Sequence, residues 1–193
     1  TDDILIIDHE PKAAMDYIAS RYTLKSGSVK EPDSYLGSQV SKFYIDSADE
    51  PEKPRWAMSS EKYVKQAVAD VETELAEINQ CLPTKVTTPL SQGYRPELDS
   101  SKELDPRRAQ YYQSLIGVLR WICELGRLDV LVAVSMLSRY VVSPREGHLQ
   151  QLFHIFAYLK HHKQSKMVFI DTEPVFDESR FKVCDWSEFY PDA

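Results

Sequence analysis

The residues predict an α+β fold, and three observations carry that prediction. The stretch 35–45 is rich in Tyr, Val, Phe and Ile, the side chains that suit a pleated, half-buried surface. Val64, Val68, Val71, Leu75 and Ile78 recur in steps of four and three, the stripe of an amphipathic helix. From residue 107 onward, three helical patterns follow one another before a last apolar run at 167–170. Strands early and helices late point to segregated rather than alternating elements.

In chain order, residues 4–7 (Ile-Leu-Ile-Ile) predict a short strand ended by Asp8-His9-Glu10-Pro11. Pro11 suits a first helical turn, and Met15, Ile18 and Tyr22 follow at helical spacing. A turn at Ser26-Gly27 leads into the strand at 35–45, which reads as one arm of a hairpin. Polar residues 46–54 would form its loop, and Trp56-Ala57-Met58 its return strand. Ser59 or Ser60 would cap the striped helix, with Glu61 in its first turn. Residues 82–106 hold Pro83, Pro89, Pro96 and Pro106 without a usable period, so they predict an extended connector and a subdomain boundary. Tyr111, Leu115, Leu119 and Ile122 mark the next helix, which Gly126 would end. Asp129 is placed to cap the helix of Val130, Val134, Leu137 and Val141. Glu146 opens a third, with Leu149, Leu152, Phe153, Phe156 and Leu159 on one face.

The chain has 193 residues and a net charge of −7, which by itself argues against nucleic acid. That charge is uneven. Residues 171–193 hold seven acids against Arg180 and Lys182, and so carry −5 of it. Between Arg139 and Lys166 there are five cations against Glu146 alone, with four of the five histidines. A local basic surface is therefore compatible with an acidic chain. No apolar run approaches the roughly 18 residues of a membrane span, and no signal peptide opens the sequence. Cys81, Cys123 and Cys184 are odd in number and far apart, as expected of reduced thiols in an intracellular protein. An apolar strand directly after Thr1 suggests a piece of a longer polypeptide.

Asp2-Asp3 before four aliphatics is the first candidate for chemistry. Nucleotidyl transfer needs carboxylates close enough to hold two Mg²⁺ roughly 3.5–4 Å apart, with water and phosphate completing the shells. Adjacent acids at the end of an anchored strand would supply part of such a cage. The same pair is also what a solvated chain end looks like.

Several motifs in order add to this. They are Thr1-Asp2-Asp3-Ile4-Leu5-Ile6-Ile7, Tyr35-Leu36-Gly37, Met58-Ser59-Ser60-Glu61-Lys62-Tyr63-Val64 and Thr88-Pro89-Leu90. Then come Tyr112 to Trp121 (Tyr-Gln-Ser-Leu-Ile-Gly-Val-Leu-Arg-Trp), Gly126-Arg127-Leu128-Asp129-Val130, Ala133 to Tyr140, and His148 with Ala157-Tyr158-Leu159-Lys160. Together they resemble the reverse transcriptase of copia-type long-terminal-repeat retrotransposons over nearly the whole chain. Leu128 stands where many relatives have proline, and the 46–55 insert is longer than expected.

The resemblance implies a division into polymerase palm end (1–58), thumb helix (59–80), connector (81–106), helical connection subdomain (107–170) and an acidic tail (171–193) leading towards a ribonuclease H. It implies RNA-directed DNA polymerisation with Mg²⁺ and dNTP in the full-length parent, in a cytoplasmic virus-like particle or the nucleus. Asp2 and Asp3 would be two of three catalytic carboxylates, the third lying with the fingers in an upstream portion. Tyr35-Leu36-Gly37 would lie near the primer strand, where a glycine lets backbones approach closely, although a plain turn glycine fits equally. Lys62, Lys65 and Arg139 would touch template–primer phosphates, or be ordinary solvated cations. Arg127 and Asp129 suit an internal pair at a helix junction. The histidines lack zinc-site spacing, and the tryptophans suit packing. The rival expectation is a non-catalytic decayed or host-recruited domain that binds a protein partner. A small hydrolase has no grouped nucleophile, base and orienting residue to support it.

Overall fold

The computed structural model describes residues 4–44 and 54–170. Its elements are α1 (Pro11–Ala19), β1 (Ser34–Tyr35), β2 (Ser38–Tyr44), β3 (Pro54–Ser59), α2 (Glu61–Glu77), α3 (Pro106–Glu124), α4 (Leu131–Ser138), α5 (Glu146–His161) and β4 (Met167–Val168). Short 3₁₀ turns lie at Pro96–Leu98 and Leu128–Val130. The four strands form one antiparallel sheet in the order β1-β2-β3-β4.

Alternation sets the face of β2: Ser38 and Val40 are buried while Gln39 and Ser41 are exposed. Val40 pairs with Met58 and Lys42 with Trp56, so Ala57 and Met58 of β3 reach the interior. The expected strand at 4–7 is not formed. β2 is flanked by β3 along its length and by β1 at its start, where Glu31 also ion-pairs with Lys42 at 2.6 Å. The outer edge of β3 is taken by β4, extended by the Phe169 N–H bond to the Trp56 carbonyl at 2.9 Å. Residues 4–7 run as irregular chain past Trp56, Val29 and Pro32, with Ile4 and Ile7 exposed. The last apolar run therefore joins the sheet through its first two residues.

The helices from α2 onward bury most of their predicted stripes, whereas α1 has no buried residue and Tyr22 is exposed past its end. Val64, Val68, Val71 and Leu75 of α2 are buried, whereas Ile78 falls on the C-cap and is exposed. Tyr112, Leu115, Leu119 and Ile122 of α3, Val134 and Leu137 of α4, and seven apolar positions of α5 belong to one cluster. Each such side chain contributes about 1.5–3 kcal/mol on burial. Leu82 and Val86 belong to the same cluster, so the core runs from α2 to α5 across the proline-rich segment. The Tyr112 hydroxyl donates to the Leu137 carbonyl at 2.7 Å inside it.

Residues 96–104 are fastened to the start of α5. The Arg145 guanidinium donates to the Ser101 carbonyl at 2.6 Å and to Glu103 at 3.0 Å. The Gly147 N–H donates to the Ser101 hydroxyl at 2.9 Å, and the Glu146 N–H to the Lys102 carbonyl at 2.9 Å. His148 completes the clamp from within, at 1% exposure. Its Nδ1 accepts from the Arg145 N–H at 3.1 Å, so its Nε2 is the protonated nitrogen and donates to the Pro96 carbonyl at 3.0 Å. The connector is a strap along the helices, with its polar groups satisfied locally.

Candidate nucleic-acid interface

Tyr35-Leu36-Gly37 forms the tight end of the β1–β2 hairpin. Tyr35 pairs with Ser38, which leaves Leu36 and Gly37 as a two-residue loop. Both have positive φ, 49° and 90°, the signature of a type I′ turn. Glycine meets that demand without strain, and a Cβ at Gly37 would touch nothing within 4 Å. The turn thus accounts for Gly37. It does not account for Leu36, because asparagine adopts this conformation more readily.

The same end of the sheet meets the start of α2. Gln39 pairs across the strands with both Ser34 and Ser59, and Ser59 leads directly into the helix. The Ser59 hydroxyl accepts from the Glu61 N–H at 3.4 Å, while the Ser60 hydroxyl is buried with no partner among the described residues. Gln39, Glu61, Lys62, Lys65 and Gln66 line an open depression there of about 440 Å³. Lys65 ion-pairs with Glu61 at 2.8 Å. That hydrogen bond holds the Glu61 carboxyl below the usual carboxylate range against slight desolvation, and the charges of Lys65, Lys163 and Lys166 add to the effect. The fold therefore brings two lysines from beyond the end of α5 near enough to Glu61 for their charges to act on it. The Lys166 ammonium also sits 5.1 Å from the centre of the Phe43 ring, and Lys42 lies 5.2 Å over Trp56.

The other expected site residues stand elsewhere. Asp2 and Asp3 lie outside the described residues. Arg139 is exposed at the C-cap of α4 and does not line the depression at the start of α2. Arg145 is committed to the strap, and Lys160 pairs with Glu72 at 2.6 Å, so neither is a spare cation. Asp129 does not cap α4. Its carboxylate instead takes both the Nε and Nη2 protons of Arg127, at 2.9 and 2.7 Å, because Arg127 is 2% exposed and needs a counter-ion. His154 meets the Thr88 carbonyl at 3.0 Å, which ties the strap to α5 again. Trp56 is half-buried, but Trp121, expected to pack, is 40% exposed.

In the sequence, Lys163 and Lys166 belong to the basic stretch 139–166, a candidate nucleic-acid surface together with Lys62 and Lys65, and Gln39 carries no signal. Nothing local marks the two lysines as neighbours of Glu61. They meet through the packing of α2 on α5 and the pairing of β4 with β3.

The similarities of this chain support a segment of a retrotransposon Pol polyprotein as its class. It is 29% identical over 158 residues, 82% of its length, to the putative transposon Ty5-1 protein YCL074W of Saccharomyces cerevisiae. It is 27% identical over 162 residues to the retrovirus-related Pol polyprotein from transposon RE1 of Arabidopsis thaliana, again with 82% of the chain covered. The matched region spans 46% of the first relative and 10% of the second. No family model matches the chain, and no solved structure matches it significantly.

Proposed function

We propose that this chain is the palm end, thumb and connection of a copia-type RNA-directed DNA polymerase, and that it holds the template–primer duplex. The observation that carries the duplex role is the basic start of α2, where Lys62 and Lys65 line the depression near the Leu36-Gly37 turn and Lys163 and Lys166 lie close enough for their charges to reach Glu61, in a chain similar to transposon proteins. In this reading 1–58 is palm, 59–80 thumb, 81–106 the strap and 107–170 the connection. Two lysines lining a shallow depression, with two more near its Glu61, suit a phosphate backbone, which is recognised by charge and position rather than by base edges. A left-handed Leu36 fits a turn selected for contact as well as for stability.

Among the described residues no grouping of His, Cys, Asp or Glu could hold a metal ion, so the Mg²⁺ donors would be Asp2 and Asp3 together with a carboxylate of an upstream portion. Bound there, Mg²⁺ would activate the attacking 3′ hydroxyl and stabilise the leaving pyrophosphate. This chain's own contribution is to position the duplex. In this reading the third carboxylate comes from another portion of the polymerase, so the 193 residues alone are expected to give no primer extension with Mg²⁺ or Mn²⁺.

The test is fluorescence anisotropy on an RNA–DNA hybrid. The Lys62→Glu/Lys65→Glu variant loses at least tenfold in affinity, while Lys85→Glu/Lys102→Glu, the same charge change on the strap, loses much less. Equal losses would reduce the site to bulk charge. Unchanged binding in the first variant would remove the duplex role.

A further inference from the structure

The C-terminal half of α2 presents the opposite chemistry. Two adjoining depressions of about 600 and about 260 Å³ lie between α2 and α3 and share Glu74, Tyr111 and Ser114. The larger falls within the roughly 300–1,000 Å³ range of built binding sites, and the smaller extends it along the helices. The floor is apolar, formed by Leu75, Tyr111, Phe153 and Phe156. The α2 wall is acidic: Asp70, Glu74 and Glu77. Glu74 and Glu77 carry no ion pair among the described residues, in contrast to Glu72, which Lys160 neutralises. Arg107 and Arg108 stand at one end, where Arg108 is already held by Glu146. The Tyr111 hydroxyl is buried without a hydrogen-bond partner among the described residues. Desolvation and the nearby Glu74 charge push its phenol up to about 12, so it stays a donor at physiological pH.

We propose that this groove docks a short segment of a partner polypeptide carrying an apolar side chain next to lysine or arginine. The apolar residue covers the Tyr111–Phe153 floor, whose ring centres lie 6.5 Å apart. The cation meets Glu74 and Glu77, and the Tyr111 hydroxyl gains an acceptor. Charge complementarity selects this occupant, because phosphate would be repelled by the acids and an acidic peptide likewise. The duplex-facing lysines and the partner-facing acids thus sit on opposite halves of one helix. The inference is independent of the polymerase reading.

Calorimetric titration of the full chain with a synthetic Leu–Lys amphipathic peptide and its Leu–Glu counterpart tests it. The Leu–Lys peptide binds and the Leu–Glu peptide does not. Glu74→Gln/Glu77→Gln weakens binding about tenfold, whereas Glu97→Gln/Glu124→Gln, an equal charge change away from the groove, leaves it unaltered. Ser114→Trp, which fills the shared centre, abolishes binding with the helical circular dichroism intact. If that variant fails to fold, Ser114→Leu takes its place and weakens binding at least fivefold. Equal effects of the two charge pairs, binding that survives the filled groove, or equal affinity for both peptides would overturn the proposal. So would concentration-dependent dimerisation lost on filling the groove, which would assign it to a second copy.

Discussion

Arg127 is almost wholly removed from solvent, and Asp129 is its counter-ion through two parallel hydrogen bonds. Burial of Asp129 would raise its carboxyl, but the Arg127 hydrogen bond and charge and the Tyr158 hydroxyl outweigh that and hold it below the usual aspartate range. Asp99 behaves alike: burial opposes, and hydrogen bonds from Ser101 and Tyr94 prevail. A depressed carboxylate contributes stability that is fully present above the ordinary pKa of about 3.9 and is lost as pH falls through the folded value. Chemical denaturation between pH 7 and 3 is therefore expected to show stability falling below about pH 4, with a shallower fall in Asp129→Asn. At pH 7, Asp129→Ala leaves a buried guanidinium unpaired and costs about 3–5 kcal/mol. Arg127→Met/Asp129→Leu recovers most of that loss, because the charge goes with its partner. A single substitution as mild as a surface change would show that water reaches Arg127.

At the level of elements, two backbone positions carry testable strain. Leu36 occupies the left-handed region at φ 49°, so Leu36→Asn is expected to stabilise the hairpin by roughly 0.5–1 kcal/mol, read as a rise in melting temperature. If the turn also contacts duplex, the same change weakens hybrid binding while it stabilises the fold, which separates the two roles. Gly147 is tightly approached: a Cβ there would collide with the Asp99 carboxylate that Tyr94 and Ser101 hold. Gly147→Ala is expected to cost about 1–3 kcal/mol in urea unfolding. Helix positions were legible from the spacing of Val64, Leu115 or Leu152, since burial on one face imposes a period. The hairpin was legible only in outline: 35–45 reads as one strand because nothing in Tyr-Leu-Gly announces a turn as Asn-Gly would. Residues 4–7 misled for the same physical reason that makes strands hard to read. An aliphatic run forms a strand only where a sheet edge is free, and the fold assigns the outer edge of β3 to residues far down the chain. The clustering of Lys62 and Lys65 with Lys163 and Lys166 is likewise a product of packing, without any local motif.

For the whole molecule, charge is partitioned rather than averaged. The net −7 is dominated by 171–193, whose deletion removes a net five negative charges, while the start of α2 carries Lys62 and Lys65 and its far end Glu74 and Glu77. Each phosphate neutralised releases counter-ions, so log affinity falls against log salt with a slope of roughly −0.9 per contact. Four clustered lysines, one of them already paired with Glu61, set an expectation of about two to four contacts and no sequence preference. Truncation at residue 170 removes long-range repulsion without touching those lysines. Binding to an RNA–DNA hybrid should therefore strengthen at low salt, with the gain fading as the screening length shrinks to about 8 Å at physiological ionic strength. A salt titration by anisotropy on both chains separates the two effects. The expected pattern is a truncated chain that binds more tightly at low salt, its line falling more steeply until the two meet at high salt. An offset that persists at high salt would mean that 171–193 competes for phosphate contacts directly, and salt-independent binding, or none in either chain at low salt, would remove the lysine cluster from nucleic-acid recognition.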